Sequence, residues 1–167
     1  KLNWMNQQYL LKLPEEEYFR MIDHVIRKGD YHEQDSEKIR QAAEILKTRL
    51  VTFSDLNQKL GLFFEENPEI KDLQAIEVLK EDNSKTVLKE FLQQVENLDQ
   101  LTSENLGQLV KSVQKSTGIK GRGLWMPLRC AITREVSGPE LPAMLDFFGG
   151  EKCLHLIRQT LENPSLN

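Results

Sequence analysis

From Leu106 to Arg134 the chain carries Lys111, Lys115, Lys120, Arg122, Arg129 and Arg134 and not one Asp or Glu. Six unopposed cations suit a polyanion, because lysine and arginine side chains only donate hydrogen bonds and phosphate oxygens only accept them. Within the same run Trp125-Met126-Pro127-Leu128 stands just before Arg129. An aromatic ring beside arginines offers a splayed base a surface to stack on, and single-stranded RNA is held by that combination. Two plainer readings stand beside these. The basic run can be a solvated surface of uneven charge, and for Trp125 core packing at a helix entry is the preferred reading. Arg49 is a third candidate. It flanks the apolar stripe Ile39, Ala42, Ala43, Leu46 and Leu50, at a helix end just before a turn. There the guanidinium either caps the last carbonyls of the helix or, with its stem packed along the apolar edge, reaches a ligand.

Other chemistries lack their residues. Gly118, Gly121 and Gly123 do not have dinucleotide-fold spacing and follow no strand, and no phosphate-binding loop is present. No Ser, Cys or His falls in a nucleophile motif. Paired acids such as Glu65-Glu66 lie on a polar segment and read as surface. His24, His32 and His155 match no zinc spacing, so no metal site is expected. Cys130 and Cys153, 23 residues apart beside apolar residues, read as buried thiols of a reducing compartment, with a disulfide or a metal site as the lesser reading. The chain is therefore expected to be a binding module with no catalytic centre and no cofactor of its own.

The 167 residues, 39% hydrophobic and 29% charged, suffice for one large or two small globular domains. A net charge of −4 by itself argues against nucleic acid as a partner, but Leu62 to Glu104 holds eleven acids against four lysines. One acidic and one basic face are expected. No apolar run approaches the ~18 residues that span a bilayer, and no signal segment opens the chain. The start at Lys1-Leu2-Asn3-Trp4, without Met, reads as a cut inside a helix of a longer protein.

The spacing of apolar residues is helical nearly throughout. Pro14 opens a helix whose first turn holds Glu15, Glu16 and Glu17, whose buried stripe is Tyr18, Phe19, Ile22, Val25 and Ile26, and which Gly29 ends. The stripe from Ile39 to Leu50 and a shorter one of Leu56, Leu60, Phe63 and Phe64 follow. Asn67-Pro68 breaks the pattern and marks a boundary between subdomains 1–67 and 68–167. Beyond it Leu73, Ile76 and Leu79 share a face. Ser84 is expected to cap a helix bearing Val87, Leu88, Phe91, Leu92 and Val95, and Thr102 or Ser103 one bearing Leu106, Leu109, Val110 and Val113. Gly118 to Gly123 is a turn, Pro127 and Pro139 each start a helix, Gly149-Gly150 punctuates, and a last helix carries Leu154, Ile157 and Leu161. Leu50-Val51-Thr52-Phe53 is the one β-like run. The expected fold is all-α, two helical bundles in series.

Several of these stretches resemble a family. Lys1-Leu2-Asn3-Trp4-Met5-Asn6, with Tyr9, is similar to the helix that follows the catalytic part of bacterial-type glutamyl-tRNA synthetases. Leu124-Trp125-Met126-Pro127-Leu128-Arg129-Cys130-Ala131-Ile132-Thr133 and Gly138-Pro139-Glu140-Leu141, with Gly149-Gly150-Glu151-Lys152 after them, resemble their C-terminal signature, and Thr52-Phe53-Ser54-Asp55-Leu56 with Phe63-Phe64 fits the middle. Gln7 departs from the glycine common there. The resemblance covers the whole chain in order. It implies an α-helical cage that reads the tRNA anticodon, as the non-catalytic C-terminal part of a monomeric, cytoplasmic class I enzyme that joins glutamate to tRNA with ATP and Mg²⁺. The catalytic domain in cis, with its HIGH and KMSKS signatures, would precede these residues. Position by position, Arg49 matches the arginine used on the third anticodon base. Arg129, Pro139 and Leu141 match positions around the other two, and Lys111 a basic position near the anticodon arm. Gly138 stands where another member contacts a base with a side chain, so only its backbone can do so.

The assignment of Arg49 agrees with base chemistry. Arginine is a donor-only fork. Cytosine offers O2 and N3 as acceptors, whereas guanine offers donors at N1 and N2. Glutamate anticodons end in C and glutamine anticodons in G, and an unsatisfied buried donor costs ~1–3 kcal/mol, or roughly tenfold to over a hundredfold in discrimination. Two competing readings are a helical protein-interaction scaffold with an incidental basic run, and the similar cage of class I lysyl-tRNA synthetases.

Overall fold

A computed structural model describes residues 1–167, and they are all-helical as expected, with ten α-helices and a closing 3-10 turn. They form two compact units, Lys1–Glu66 and Asn67–Asn167.

The first unit contains α1 (Leu2–Lys12), α2 (Glu15–Ile26), α3 (Ser36–Leu46) and α4 (Asp55–Phe64). Pro14 occupies the N-cap of α2 and three glutamates fill its first turn, where the helix dipole favours negative charge. The Asp35 side chain caps α3 by accepting from the Lys38 N–H at 3.0 Å. Tyr18, Ile22, Ala42, Ala43, Leu50, Leu56 and Leu60 are fully enclosed. The Tyr18 hydroxyl, deep in this apolar setting, donates to the Ala43 carbonyl at 2.7 Å, so its polar group is satisfied. Phe19 and Val25 are only half-buried, and the Arg40 guanidinium lies 5.3 Å over the Phe19 ring. The β-like run 50–53 forms a turn, with Leu50 as its core anchor.

The second unit contains α5 (Leu73–Lys80), α6 (Asp82–Val95), α7 (Leu106–Thr117), α8 (Arg122–Thr133), α9 (Leu141–Phe148) and α10 (Gly150–Glu162). Helices α6 and α8 are its pillars: both pack on α5, α7 and α10, and α8 also supports α9. Val87, Leu88 and Phe91 from α6 meet Leu124, Leu128, Ala131 and Ile132 of α8 and Leu156 and Ile157 of α10 in one core. Burying each of these side chains but Ala131 contributes ~1.5–3 kcal/mol before conformational entropy is counted. Cys130 and Cys153 are free and buried. Burial pushes the Cys130 thiol up to about 11 and the Cys153 thiol up to about 12, so both are neutral near pH 7.

Several local expectations shift. Leu73 does not share the buried face of α5; it is 76% exposed, and Ala75 and Leu79 are buried instead. Steps of three residues drift by ~60° each around a 3.6-residue helix, so Leu73 and Leu79 point apart. Ser84 does not cap α6, which starts earlier at Asp82; the buried Ser84 hydroxyl donates to the Val78 carbonyl at 2.6 Å. The N-cap of α7 is Asn105, while Thr102 Oγ1 receives the Asn105 N–H at 3.3 Å one step ahead of the helix. Pro127 lies inside α8, which begins at Arg122. Its missing N–H deprives only the Gly123 carbonyl, in the first turn. Pro139 lies outside α9, and the second proline, Pro142, takes the first-turn position.

Candidate nucleic-acid interface

The basic run folds into α7, a glycine turn and α8. Gly118 ends α7 in the left-handed region at φ 74°, a conformation that side chains resist. Lys111 and Lys115, one helical turn apart on α7, are exposed, as are Lys120 in the turn and Arg122 on α8. Along α8, Arg122, Trp125 and Arg129 fall at i, i+3 and i+7, the spacing of one helical face. Trp125 is 41% exposed. Trp125 borders the buried side of α8, three residues before Leu128 and seven before Ile132, so the core-packing reading holds for part of the indole and fails for the exposed remainder.

Arg134 leaves the basic face altogether. It ends α8 at φ 64°, the one non-glycine residue in the left-handed region, and is 6% exposed. Its Nε donates to the Pro68 carbonyl at 3.0 Å, Nη1 to the Ala131 carbonyl and Thr160 Oγ1, both at 2.7 Å, and Nη2 to Gln159 Oε1 at 3.0 Å. Desolvation lowers its pKa to about 10. This guanidinium ties the α8 end to α10 and to the start of the unit.

Arg129 builds the loop between α8 and α9. Its Nη1 donates to the Gly138 carbonyl at 2.9 Å and its Nη2 to Glu140 Oε2 at 3.1 Å. The loop is held from two further sides. Thr133 Oγ1 lies 2.8 Å from the Arg129 carbonyl and 3.0 Å from that of Glu135, and the Val136 N–H donates to Asp72 Oδ2 at 2.9 Å. A Cβ on Gly138 would collide with the Thr133 side chain, so glycine is what allows the chain to pass this close. Pro139 and Leu141 are buried, leaving Glu140 as the exposed side chain between them. Pro139 and Leu141 thus shape the loop from within.

Arg49 belongs to the first unit. It is half-buried in the turn after α3, and its own N–H donates to the Leu46 carbonyl at 2.7 Å. The Gln7 amide on α1 donates to the neighbouring Thr48 carbonyl at 2.6 Å. The structure thus brings Arg129, Pro139 and Leu141 together at one loop, sets Lys111 on α7 of the same unit, and holds Arg49 in a turn of the other. Sequence reading gave no contact to Gln7, Glu140 or Asp72. Each acts across a loop or between helices, at separations with no periodic signal.

Residues 7–161 match a family model described as the anticodon binding domain. The chain is 32% identical over 167 residues to the glutamate–tRNA ligase of Geobacillus stearothermophilus, a match covering 97% of this chain and 34% of that protein. It is 35% identical over 156 residues to the glutamate–tRNA ligase of Lactiplantibacillus plantarum, covering 90% and 31%. The chain thus spans about a third of the length of these relatives. A crystal structure of a glutamate tRNA ligase from Elizabethkingia meningosepticum in complex with its amino acid shares the fold over 96% of this chain and 32% of that one, with a TM-score of 0.71 and 23% identity. The family match runs from within α1 to within α10 and so takes in Arg49, Lys111, Arg129, Pro139 and Leu141 alike: the chain belongs to the anticodon-binding domain family.

Proposed function

We propose that the chain is the anticodon-reading part of a glutamate–tRNA ligase and binds the anticodon loop of a glutamate-accepting tRNA. The observation that carries this reading is the cationic, aromatic face of α8 joined through Arg129 to the loop at Gly138. In this reading Lys111 and its neighbours on α7 hold phosphates and set register. Arg129 and the backbone around Pro139 and Leu141 meet two anticodon bases. Arg49 meets the third, with donors that suit cytosine and leave guanine's donors unmatched.

ATP, glutamate and Mg²⁺ would act elsewhere in the ligase. The chain has no glycine-rich phosphate loop, and no group of three or more His, Cys, Asp and Glu is arranged to hold a metal. Leu2, Trp4, Met5 and Tyr9 stand exposed on α1. We assign that apolar surface to the catalytic part in cis, because the relatives are three times the length of this chain. No helix is long and apolar enough to cross a membrane, and a monomeric cytoplasmic ligase is the setting this reading adopts.

Filter binding tests the reading. The chain should retain glutamate tRNA in preference to lysine tRNA, with affinity falling steeply as salt rises. Equal retention of unrelated RNAs, or none, would set the assignment aside. Purified alone, it should give no glutamate-dependent pyrophosphate exchange.

A further inference from the structure

We infer that Trp125 is a stacking platform for one unpaired base of the anticodon loop, with Arg122 and Arg129 as its flanking cations. The inference rests on the anticodon-binding reading and adds to it a residue and a mode of contact. Three observations converge. Trp125 is 41% exposed although the surrounding segment is apolar and Leu124, Leu128 and Ile132 beside it on α8 are buried. A partly exposed tryptophan on a well-packed helix forgoes part of its burial energy, and a flat π-face held by a rigid element is what a base needs. Arg122 and Arg129 lie one turn to either side on the same face, no acid occurs between residues 106 and 134, and Glu140 is the acid already paired with Arg129. The neighbouring backbone is also open, since a Cβ at Gly121 would meet nothing within 4 Å.

Stacking is tolerant of base identity because every base has a π-face. Trp125 thus supplies affinity and orientation, and identity is left to the hydrogen bonds of other residues. A base seated on it would lie one helical turn from the Arg129 guanidinium, which is bonded to the Gly138 carbonyl and Glu140.

The experiment uses the chain with Trp4→Phe, which leaves Trp125 as the sole tryptophan, and a short RNA hairpin bearing the glutamate anticodon loop. Tryptophan emission should be quenched on binding, with a midpoint equal to the Kd from filter retention. Trp125→Ala should weaken the hairpin roughly five- to hundredfold, and Trp125→Phe, which keeps a ring, far less. The slope of log K against log salt should stay the same in both, because no ionic contact is removed. A hairpin with an abasic loop should lose the difference between the wild-type chain and Trp125→Ala. If the hairpin binds tightly while emission is unquenched and Trp125→Ala binds within twofold of wild type, the platform is refuted and the anticodon-binding reading stands. If no hairpin or tRNA binds the wild-type chain at all, that reading fails and takes the platform with it.

Discussion

Arg129 and Glu140 close an ion pair of 3.1 Å across the α8–α9 loop, between a guanidinium that is mostly buried and a carboxylate that is 68% exposed. The pair has two consequences. It holds the loop over the end of α8, and it occupies one arm of an arginine that the proposed function needs for RNA. A phosphate or a base edge must compete with Glu140 for that arm. Pairs with one exposed partner are worth at most ~1 kcal/mol, so the pair works as a light latch that RNA can open.

Glu140→Gln should therefore tighten binding of the anticodon hairpin, by up to ~fivefold on the scale of an exposed pair, and barely change the melting temperature. Arg129→Gln should weaken it and also loosen the loop, because the Gly138 carbonyl loses its donor. Hairpin titrations of both variants check this. A Glu140→Gln chain that binds more weakly would mean the carboxylate itself contacts the RNA.

Gly138→Ala tests the shape of the same loop. The added methyl would overlap Thr133, whose hydroxyl is already engaged with two carbonyls. Overpacking of this kind costs ~1–3 kcal/mol, and the displaced loop would carry Glu140 and the Pro139 backbone with it. Thermal melts should show the loss, and hairpin affinity should fall further than Tm alone accounts for. A variant with lower Tm and unchanged affinity would detach the loop from binding.

Arg134 and Lys111 should separate cleanly although both come from the same basic run. Arg134→Met leaves the carbonyls of Pro68 and Ala131 without a donor in a buried setting, and a loss on the order of 3–5 kcal/mol in stability is expected. Material that remains folded should keep the wild-type salt slope. Lys111→Ala should do the reverse, leaving Tm alone and flattening the slope by up to ~0.9, or ~0.7 on single strands. Denaturant melts and salt titrations give the two numbers for each variant.

That contrast also marks how far the sequence could be read. Helical periodicity exposed the core of α6, α7 and α8, because Val87, Leu88 and Phe91 or Leu106, Leu109 and Val110 repeat on one face. A charge count could not distinguish Arg134 from Arg122. The difference lies in a left-handed backbone turn and in acceptors 26 and 66 residues away in the chain. Trp125 looked like core by its neighbours, and on α8, which starts five residues before Pro127, it falls at the edge of the buried side, where it is 41% exposed. The motif around Arg129 and Gly138 was visible as letters, but the hydrogen bond between them was not.

The cysteines give a pH prediction. A thiol whose folded pKa is raised holds its proton more tightly when folded, so stability is full below the unfolded value of 9.0 and falls as pH rises towards the folded one. For Cys153 that window runs from 9.0 to about 12, and for Cys130 to about 11. Urea melts across pH 8 to ~11 should show a decline whose slope is smaller in Cys153→Ala. The readout is the slope, since the cavity left by the missing sulfur lowers stability equally at every pH. An identical slope would mean that water reaches the thiol.

Arg49 carries the most specific prediction, and it belongs in the full-length ligase. The turn that holds it is pinned by the Arg49 N–H on the Leu46 carbonyl and by the Gln7 amide on Thr48, so the side chain leaves from a fixed backbone. Arg49→Gln replaces a donor-only fork with an amide that both donates and accepts, and such a group can turn to meet guanine as well as cytosine. A modest loss for glutamate tRNA and a larger gain for glutamine tRNA are expected, a change in preference on the order of 1–3 kcal/mol in the ratio of kcat/KM. Gln7→Gly, which releases the Thr48 carbonyl, should lower the same ratio by less and leave its direction unchanged. Melting temperature should move little in Arg49→Gln if the guanidinium serves RNA. A constant ratio together with a large drop in Tm would make Arg49 a structural residue of the helix end and remove it from the reading of the third base.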